Sequence, residues 1–502
     1  MTATAAPDSG AALPCLARWQ ALLAAAPQAP ALLLGEGPVT RAGLAELAAE
    51  MAAGMARAGL GPGGAAVLSL ANGPALAAAP LAVWSLGALP VFVPPEAPAA
   101  HLEAALAASG AALVLTGAPG PGETWPRPQP GPGGGPGALP GPKMGPEMGA
   151  APGPAPGAAG SVLFTSGSSG RPKGVVQTHA TLRAATDNLA RVIGYRDDDR
   201  LLAAVPWSHD YGWTQLLTLY LRGLPLALPE GPGAAGLCAA IAAHRPSVFG
   251  GVPSLFGLLT HGISDIRKTP RDSLRLLMST GSHMPAELAE ALDDLFPGAG
   301  LRLNFGLTET FRTASLAPEA RARRPGSSGQ ALPGVEISII DADGRALPPG
   351  QEGEIVHRGV GAFAGYLGDP ELTARVQTLP DGGRGVRTGD LGHLDAEGYL
   401  YVTGRRDRQV KAMGLRLHLD EVERLLRALP GVAEAAAIAR PHPITGAQVA
   451  AAIVPEPGAE GLARQVRAAL PAHMRPRPLK LMPALPRRPN GKVDYPRLQD
   501  ML

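Results

Sequence analysis

"SVLFTSGSSGRPKGVVQTH", residues Ser161–His179, sets a short apolar run against small hydroxyl residues, glycines and one lysine, Lys173. Such side chains cannot fill a core. Glycines let a backbone come close to a ligand, and successive N–H groups with hydroxyls form an anion-binding concavity. Two other uses of the stretch fail. A P-loop of the Walker type needs its lysine followed by Ser or Thr, and here Gly174 follows. A hydrolase elbow needs G-x-S-x-G, which occurs nowhere in the chain. What remains is a mobile loop that wraps a polyphosphate, with a flexible polar turn as the plain alternative.

Upstream of this stretch, "LARWQALLAAAP" and "RAGLAELAAEMAAGMARAGL" have helical spacing, whereas "AAVLSLA", "LPVFVPP" and "AALVLTG" are apolar runs between breakers. Alternation of this kind predicts a doubly wound α/β layer. Residues 75–93 are uncharged but mostly alanine, with Pro80, Gly87 and Pro90 inside them, and so predict a buried helix followed by a strand rather than a membrane span. Residues 118–160, dominated by Pro, Gly and Ala, predict an elongated surface loop or linker.

Downstream, "RLLAAVP", "SVFGGVP" and "LRLLMST" are strand-like, and "PAELAEALDDLF" predicts a short amphipathic helix after Pro285. Residues 335–358 alternate in the manner of β structure around an Asp343–Gly344 turn. After "GRRDRQVKAMG" comes a compact tail: a helix at "LDEVERLLRAL", strands at "AEAAAIAR" and "QVAAAIVP", and a helix near "LARQVRAAL". The expected fold class is α/β, with a large N-terminal domain of doubly wound sheets plus a β-rich subdomain (residues 1–406) and a small C-terminal α+β domain (407–502).

The 502 residues are long enough for more than one core, and a net charge of +2 gives no electrostatic case for nucleic acid or an anionic membrane. Cys15 and Cys238, the two cysteines, lie outside any C-x-x-C, which argues against a disulfide framework or a thiolate zinc site. The first residues have no lysine or arginine ahead of an apolar stretch, so the expected location is the cytoplasm.

"FTSGSSGRPKGV" resembles the phosphate-binding loop of the adenylate-forming (ANL) superfamily: acyl-CoA synthetases, nonribosomal peptide adenylation domains and luciferases. Four further stretches match in that family's order: "NFGLTET" (304–310), "RTGD" (387–390), "GRRDRQVKAMGLRL" (404–417) and "RPNGKVD" (488–494). The resemblance implies ATP-dependent, AMP-forming activation of a carboxylic acid to an acyl-adenylate, with pyrophosphate released. Transfer to the thiol of coenzyme A or of a carrier protein's phosphopantetheine follows.

Two anions must meet in the first step, and a fixed cation in a dry site contributes ~10²–10³ in rate. By resemblance that cation is Lys492, bridging carboxylate and α-phosphate. Thr165, Ser166, Gly167, Ser168, Ser169, Gly170 and Lys173 would hold the β- and γ-phosphates; Thr308 would bind phosphate and Glu309 would ligate Mg2+. Gly281, Ser282, Asn304, Phe305 and Gly306 fall at nucleotide-contacting places, with Phe305 where a tyrosine is more usual beside adenine. Asp390 would accept the ribose hydroxyls, helped by Arg405. Asp407 matches the hinge about which the tail turns, exchanging the face bearing Lys492 for the face bearing "KAMGLRL".

"VPWSHDYGWTQ" (205–215) carries two signatures of substrate class at once. His209 stands where acid–CoA ligases of the family keep a histidine that closes the acyl tunnel. Asp210 stands where amino-acid-activating members pair the substrate's ammonium, so a stand-alone amino-acid adenylating enzyme, carrier-loading or amide-forming, is the alternative. Tyr211, Trp213, Gly251, Val252 and Ser279 are expected pocket walls, and Arg312 would stabilise the loop or meet a substrate carboxylate. The expected partners are a small carboxylic or amino acid and a carrier protein acting in trans, without nucleic acid or a membrane span.

Overall fold

The computed structural model describes residues 14–97, 99–117, 129–130, 157–166, 172–231, 233–260, 264–281, 284–379, 382–405, 409–413, 415–443, 446–486, 493 and 495–502. Two large sheets share one core. The first, nine-stranded among the described residues, has a parallel centre in which Leu201–Ala203, Val248–Gly251, Leu276–Ser279 and Gly300–Phe305 lie side by side. The second, seven-stranded, has Leu89–Phe92 parallel to both Ala65–Ser69 and Ala159–Ser166. Packed between the sheets are the helices Pro74–Ser85, His179–Ile193 and Asp210–Arg222; Leu76, Leu182 and Leu216 belong to the same core as Phe92 of one sheet and Leu201 of the other.

Local chemistry places these elements. The helix Pro74–Ser85 begins with proline at its first turn, where no N–H is needed, and is buried from Ala75 to Trp84. A helix apolar on every side belongs inside a protein, and here it leads into the buried strand Leu89–Phe92, as the alanine-rich run predicts. Thr178 caps the helix His179–Ile193 by accepting from the Thr181 N–H at 3.0 Å, and Gly194 ends it with φ +67°.

The described ends of the "TSGSSGRPKG" stretch, Thr165–Ser166 and Pro172–Gly174, belong to two strands, Ala159–Ser166 and Pro172–Thr178, that pair antiparallel. Thr165 and Lys173 are register partners across it. Within 118–160, Gln129–Pro130 pair with Leu113–Val114, and Ala159 already belongs to the strand that follows.

A four-stranded antiparallel sheet runs Val335–Ile340, Gly353–Gly359, Val386–Leu394 and Leu400–Arg405. The tail has its own core, in which Leu417, Val422, Leu426, Ile453 and Val466 meet. Its helix Leu419–Arg427 packs on the strand Val432–His442, which pairs antiparallel with Gly446–Pro455. Among the described residues no helix is long and apolar enough to cross a membrane.

Candidate active site

Parallel strands leave their carboxyl ends on one edge, and that edge is where open α/β sheets bind ligands. Here the turns after Ala203, Gly251, Ser279 and Phe305 deliver Val205, Val252, Gly281 and Gly306 to the wall of a cavity of about 870 Å3. Thr165, at the end of the strand Ala159–Ser166, and Thr308 reach the same cavity. A space of this size is in the range of small-molecule sites.

Thr308 is 4% exposed. Its carbonyl accepts from Gln177 Nε2 at 3.1 Å, and Gln177 in turn accepts from Ser161 Oγ at 3.2 Å, so the strand pair and the "GLTE" turn are fixed to one another. One residue on, Glu309 Oε1 accepts from the Tyr366 hydroxyl at 2.9 Å. The Lys173 ammonium lies 5.6 Å from the centroid of the same tyrosine ring. Tyr366 thus joins the two predicted phosphate-site residues, although no motif marks it.

His209, Asp210 and Tyr211 stand together on the wall at the start of the helix Asp210–Arg222. His209 is the N-cap residue, with extended backbone and its carbonyl accepting from Trp213 N at 2.7 Å. Burial lowers the His209 pKa below the ordinary imidazole value against the opposing charges of Glu96 and Asp210, so the ring is neutral near pH 7. Its Nε2 is sealed from solvent without a hydrogen-bond partner among the described residues. Asp210 is 24% exposed as a side chain, and its Oδ2 lies 3.4 Å from Arg312 Nη1.

Several expected wall residues lie elsewhere. Trp213 is fully buried among Phe92, Trp84 and Tyr220, with the Phe92 ring centroid 4.6 Å away, because its place on the helix turns it toward the core. Gly251, Ser279 and Arg312 are off the cavity wall as well, Arg312 standing behind Asp210 and Tyr211. Phe305 packs with Ile339, Ile355 and Leu400 and is 7% exposed. Asn304 accepts through Oδ1 from Ser315 Oγ at 2.9 Å.

Asp390, 3% exposed, sits opposite Arg405 in the antiparallel register, its N–H donating to Thr388 Oγ1 at 3.1 Å. Arg387 of the same motif is bound to Glu354 at 2.5 Å. Gly167, Ser168, Ser169, Gly170, Ser282, Asp407 and Lys492 lie outside the described residues, as do the side chains of Ser166 and Arg405.

The tail closes the cavity. Lys411, Met413 and Leu415 of the "KAMGLRL" hairpin line it, and the strand Leu415–His418 packs beside Ala159–Ser166. His473 faces in from the other side of the tail. Burial, then the charge of nearby His209, brings its pKa down to about 4, while Glu421 pulls the other way. His101 Nε2 meets Glu421 Oε1 at 2.5 Å where tail and body touch.

The sequence profile described as AMP-binding enzyme matches residues 18–367, and that described as AMP-binding enzyme C-terminal domain matches 421–492. The chain belongs to the AMP-binding enzymes, within the adenylate-forming superfamily. Among relatives of this AMP-binding enzyme, novobiocin biosynthesis protein H of Streptomyces niveus is 33% identical over 347 residues, covering 68% of this chain and 56% of the relative. Sulfoacetate–CoA ligase of Cupriavidus necator is 32% identical over 342 residues, 66% of this chain and 65% of the relative. In both, the match spans less than two thirds of the relative's length. The solved amide bond synthetase McbA of Marinactinospora thermotolerans superposes with a TM-score of 0.82 at 26% identity, covering 97% of this chain and 99% of that one.

Proposed function

We propose that this AMP-binding enzyme activates a carboxylic acid with ATP to an acyl-adenylate, releasing pyrophosphate, and then passes the acyl group to a thiol. One observation carries the reading: residues of three phosphate- and nucleotide-type motifs (Thr165, Gly281, Gly306 and Thr308) share a cavity with His209 and with the tail's Lys411–Leu415 hairpin. The first set suits a nucleotide. The second brings the tail face that the family's second half-reaction uses.

The donor set fits magnesium–ATP. Magnesium takes one or two carboxylates alongside substrate phosphates, and Glu309 offers one carboxylate beside the hydroxyl of Thr308 and the cation of Lys173. Bound there, the ion would neutralise phosphate charge. Thr165 and Thr308 hydroxyls orient the phosphates, Asp390 takes the ribose, and Lys492 brings the positive charge that lets carboxylate and α-phosphate approach. His209, neutral and half-buried, separates the acyl end from the side where the tail enters, so it controls when the thiol reaches the acyl carbon. Closure by the tail also excludes water, which would otherwise hydrolyse the mixed anhydride.

An amine acceptor is the second reading, favoured by the likeness to McbA. One experiment separates them. Purified protein with ATP, magnesium and a panel of straight-chain, aryl and amino acids is read for acid-dependent pyrophosphate, then for product mass with coenzyme A or with a primary amine. Thioester in preference to amide supports the first reading, and amide in preference supports the second. Pyrophosphate release independent of every acid overturns both. Lys492→Ala is expected to slow adenylate formation ~10²–10³-fold while leaving thiol transfer from supplied adenylate in place.

A further inference from the structure

Asp210 opens its helix with a carboxylate on the cavity wall, the arrangement that would suit a substrate ammonium. Its charge is already matched from behind. Arg312, whose side chain is 2% exposed against 24% for Asp210, brings Nη1 to 3.4 Å from Asp210 Oδ2. The same nitrogen donates to the Phe311 carbonyl at 2.6 Å, and the guanidinium carbon lies 4.8 Å from the centroid of the Tyr211 ring. Arg312 Nε and Nη2 find no hydrogen-bond partner among the described residues.

The backbone is built to aim this arginine inward. Phe311, just before it, has φ +57°, a left-handed conformation that a bulky residue adopts only when its surroundings impose it. Those surroundings are visible. A Cβ on Gly306 would come within 2.2 Å of the Phe311 carbonyl oxygen, and one on Gly361 within 2.5 Å of the Thr310 oxygen. Phe363 N–H also ties to the Glu309 carbonyl at 2.9 Å. Two glycines and a backbone hydrogen bond hold residues 309–312 tightly against their neighbours.

We propose that Arg312 sets the substrate class: by neutralising Asp210 it makes the acyl end of the cavity select carboxylic acids without an amino group beside the carboxylate. This rests on acid activation at the same cavity. A substrate ammonium would have to compete with Arg312 for one carboxylate. Success would strand a buried guanidinium whose Nε and Nη2 already lack partners, and breaking one side of a buried charge pair is strongly unfavourable. The ammonium would also face the repulsion of that cation. Val205, Val252, Leu255 and Tyr211 on the wall offer a substituent without charge a mainly apolar surface. Arg312 acts through Asp210, so it is a positioning residue.

The test uses matched pairs that differ by one amino group: 3-phenylpropanoic acid and phenylalanine, hexanoic acid and norleucine, 4-methylpentanoic acid and leucine. For each pair the ratio of kcat/KM in acid-dependent pyrophosphate release is measured. The native protein is expected to favour the unaminated member at least tenfold. Arg312→Met, which leaves Asp210 unmatched, is expected to cut that ratio at least tenfold through the KM of the aminated acid, and Arg312→Lys to keep it. The double variant Arg312→Met with Asp210→Asn is expected to restore the preference.

A native preference for the aminated member overturns the inference, as does an unchanged ratio in Arg312→Met that melts like the native protein. Should Arg312→Met fail to fold, Asp210→Asn decides alone: a preserved preference supports the inference and a lost one overturns it. If no acid of any pair or of the wider panel releases pyrophosphate, acid activation itself falls and this inference with it. Activation with an indifferent ratio removes this inference alone.

Discussion

His101 Nε2, in the helix Ala99–Ser109, meets Glu421 Oε1, in the tail helix Leu419–Arg427, at 2.5 Å across 320 positions of sequence. Glu421 is fully buried and its Oε2 has no hydrogen-bond partner among the described residues, so this histidine supplies the hydrogen bond to a buried carboxyl group. Leaving that buried group without its partner costs about 1–3 kcal/mol. On the reading that the tail turns during turnover, both groups would regain water when it swings away, so the penalty would fall only on this position of the tail. His101→Ala is therefore expected to slow thiol transfer at least tenfold and to spare the first pyrophosphate burst, measured by rapid quench of each half-reaction. Equal loss in both steps would sink the assignment.

Tyr366 bridges Lys173 and Glu309, one through its ring face and one through its hydroxyl. Tyr366→Phe keeps the first contact and deletes the second. A hydrogen bond to a charged group contributes about 1.5–3 kcal/mol, so the KM for magnesium–ATP is expected to rise at least tenfold, with KM for the acid unchanged. Tyr366→Ala removes both contacts and is expected to do worse. Titrating magnesium at fixed ATP in the three proteins checks the order.

Much of this was legible because it is local. The strand Leu89–Phe92, the helix after Pro285 and the tail's helix–strand–strand–helix order follow from short-range period and breakers. The "TSGSSG" and "GLTE" motifs are contiguous, so their residues travel together. What escaped depends on the third dimension. Nothing in "ELTARVQ" or "FAGYLGD" marks Tyr366 as the neighbour of Lys173, and a buried glutamate at position 421 reads as part of a charged helix face until His101 arrives from another domain. Trp213 shows the opposite error. Position within a motif suggests a wall, but a residue two places beyond Tyr211 on a helix points elsewhere.

Gly212, between Tyr211 and Trp213, has a steric reason of its own. A Cβ there would stand 2.0 Å from the Pro206 carbonyl oxygen and 2.8 Å from Trp207 Cα, both backbone atoms that cannot swing aside. Gly212→Ala must push the start of the helix away from the turn at Pro206, and overpacking of this kind costs about 1–3 kcal/mol. Because His209, Asp210 and Tyr211 ride on that turn, acid turnover is expected to fall at least tenfold while the protein still folds, as judged by its melting temperature. Native activity in a folded Gly212→Ala protein would contradict the geometry.

His179 and His357 are fully buried, and burial brings each pKa down to about 4 from 6.5. Their folded values lie below the unfolded value, so the unfolded chain binds more protons between those limits and stability falls as pH drops from about 6.5 toward 4. Each group withholds about 3 kcal/mol by pH 4. Neither ring nitrogen of His179 has a hydrogen-bond partner among the described residues, and its ring packs 5.2 Å from that of Trp84. His179→Phe, similar in shape and free of polar atoms, should therefore raise the melting temperature at pH 7 and flatten its decline toward pH 5. Melts of both proteins across that range give the answer: a lower melting temperature at pH 7 with an unchanged acid slope would mean that the ring is hydrogen-bonded and that its burial carries no proton penalty.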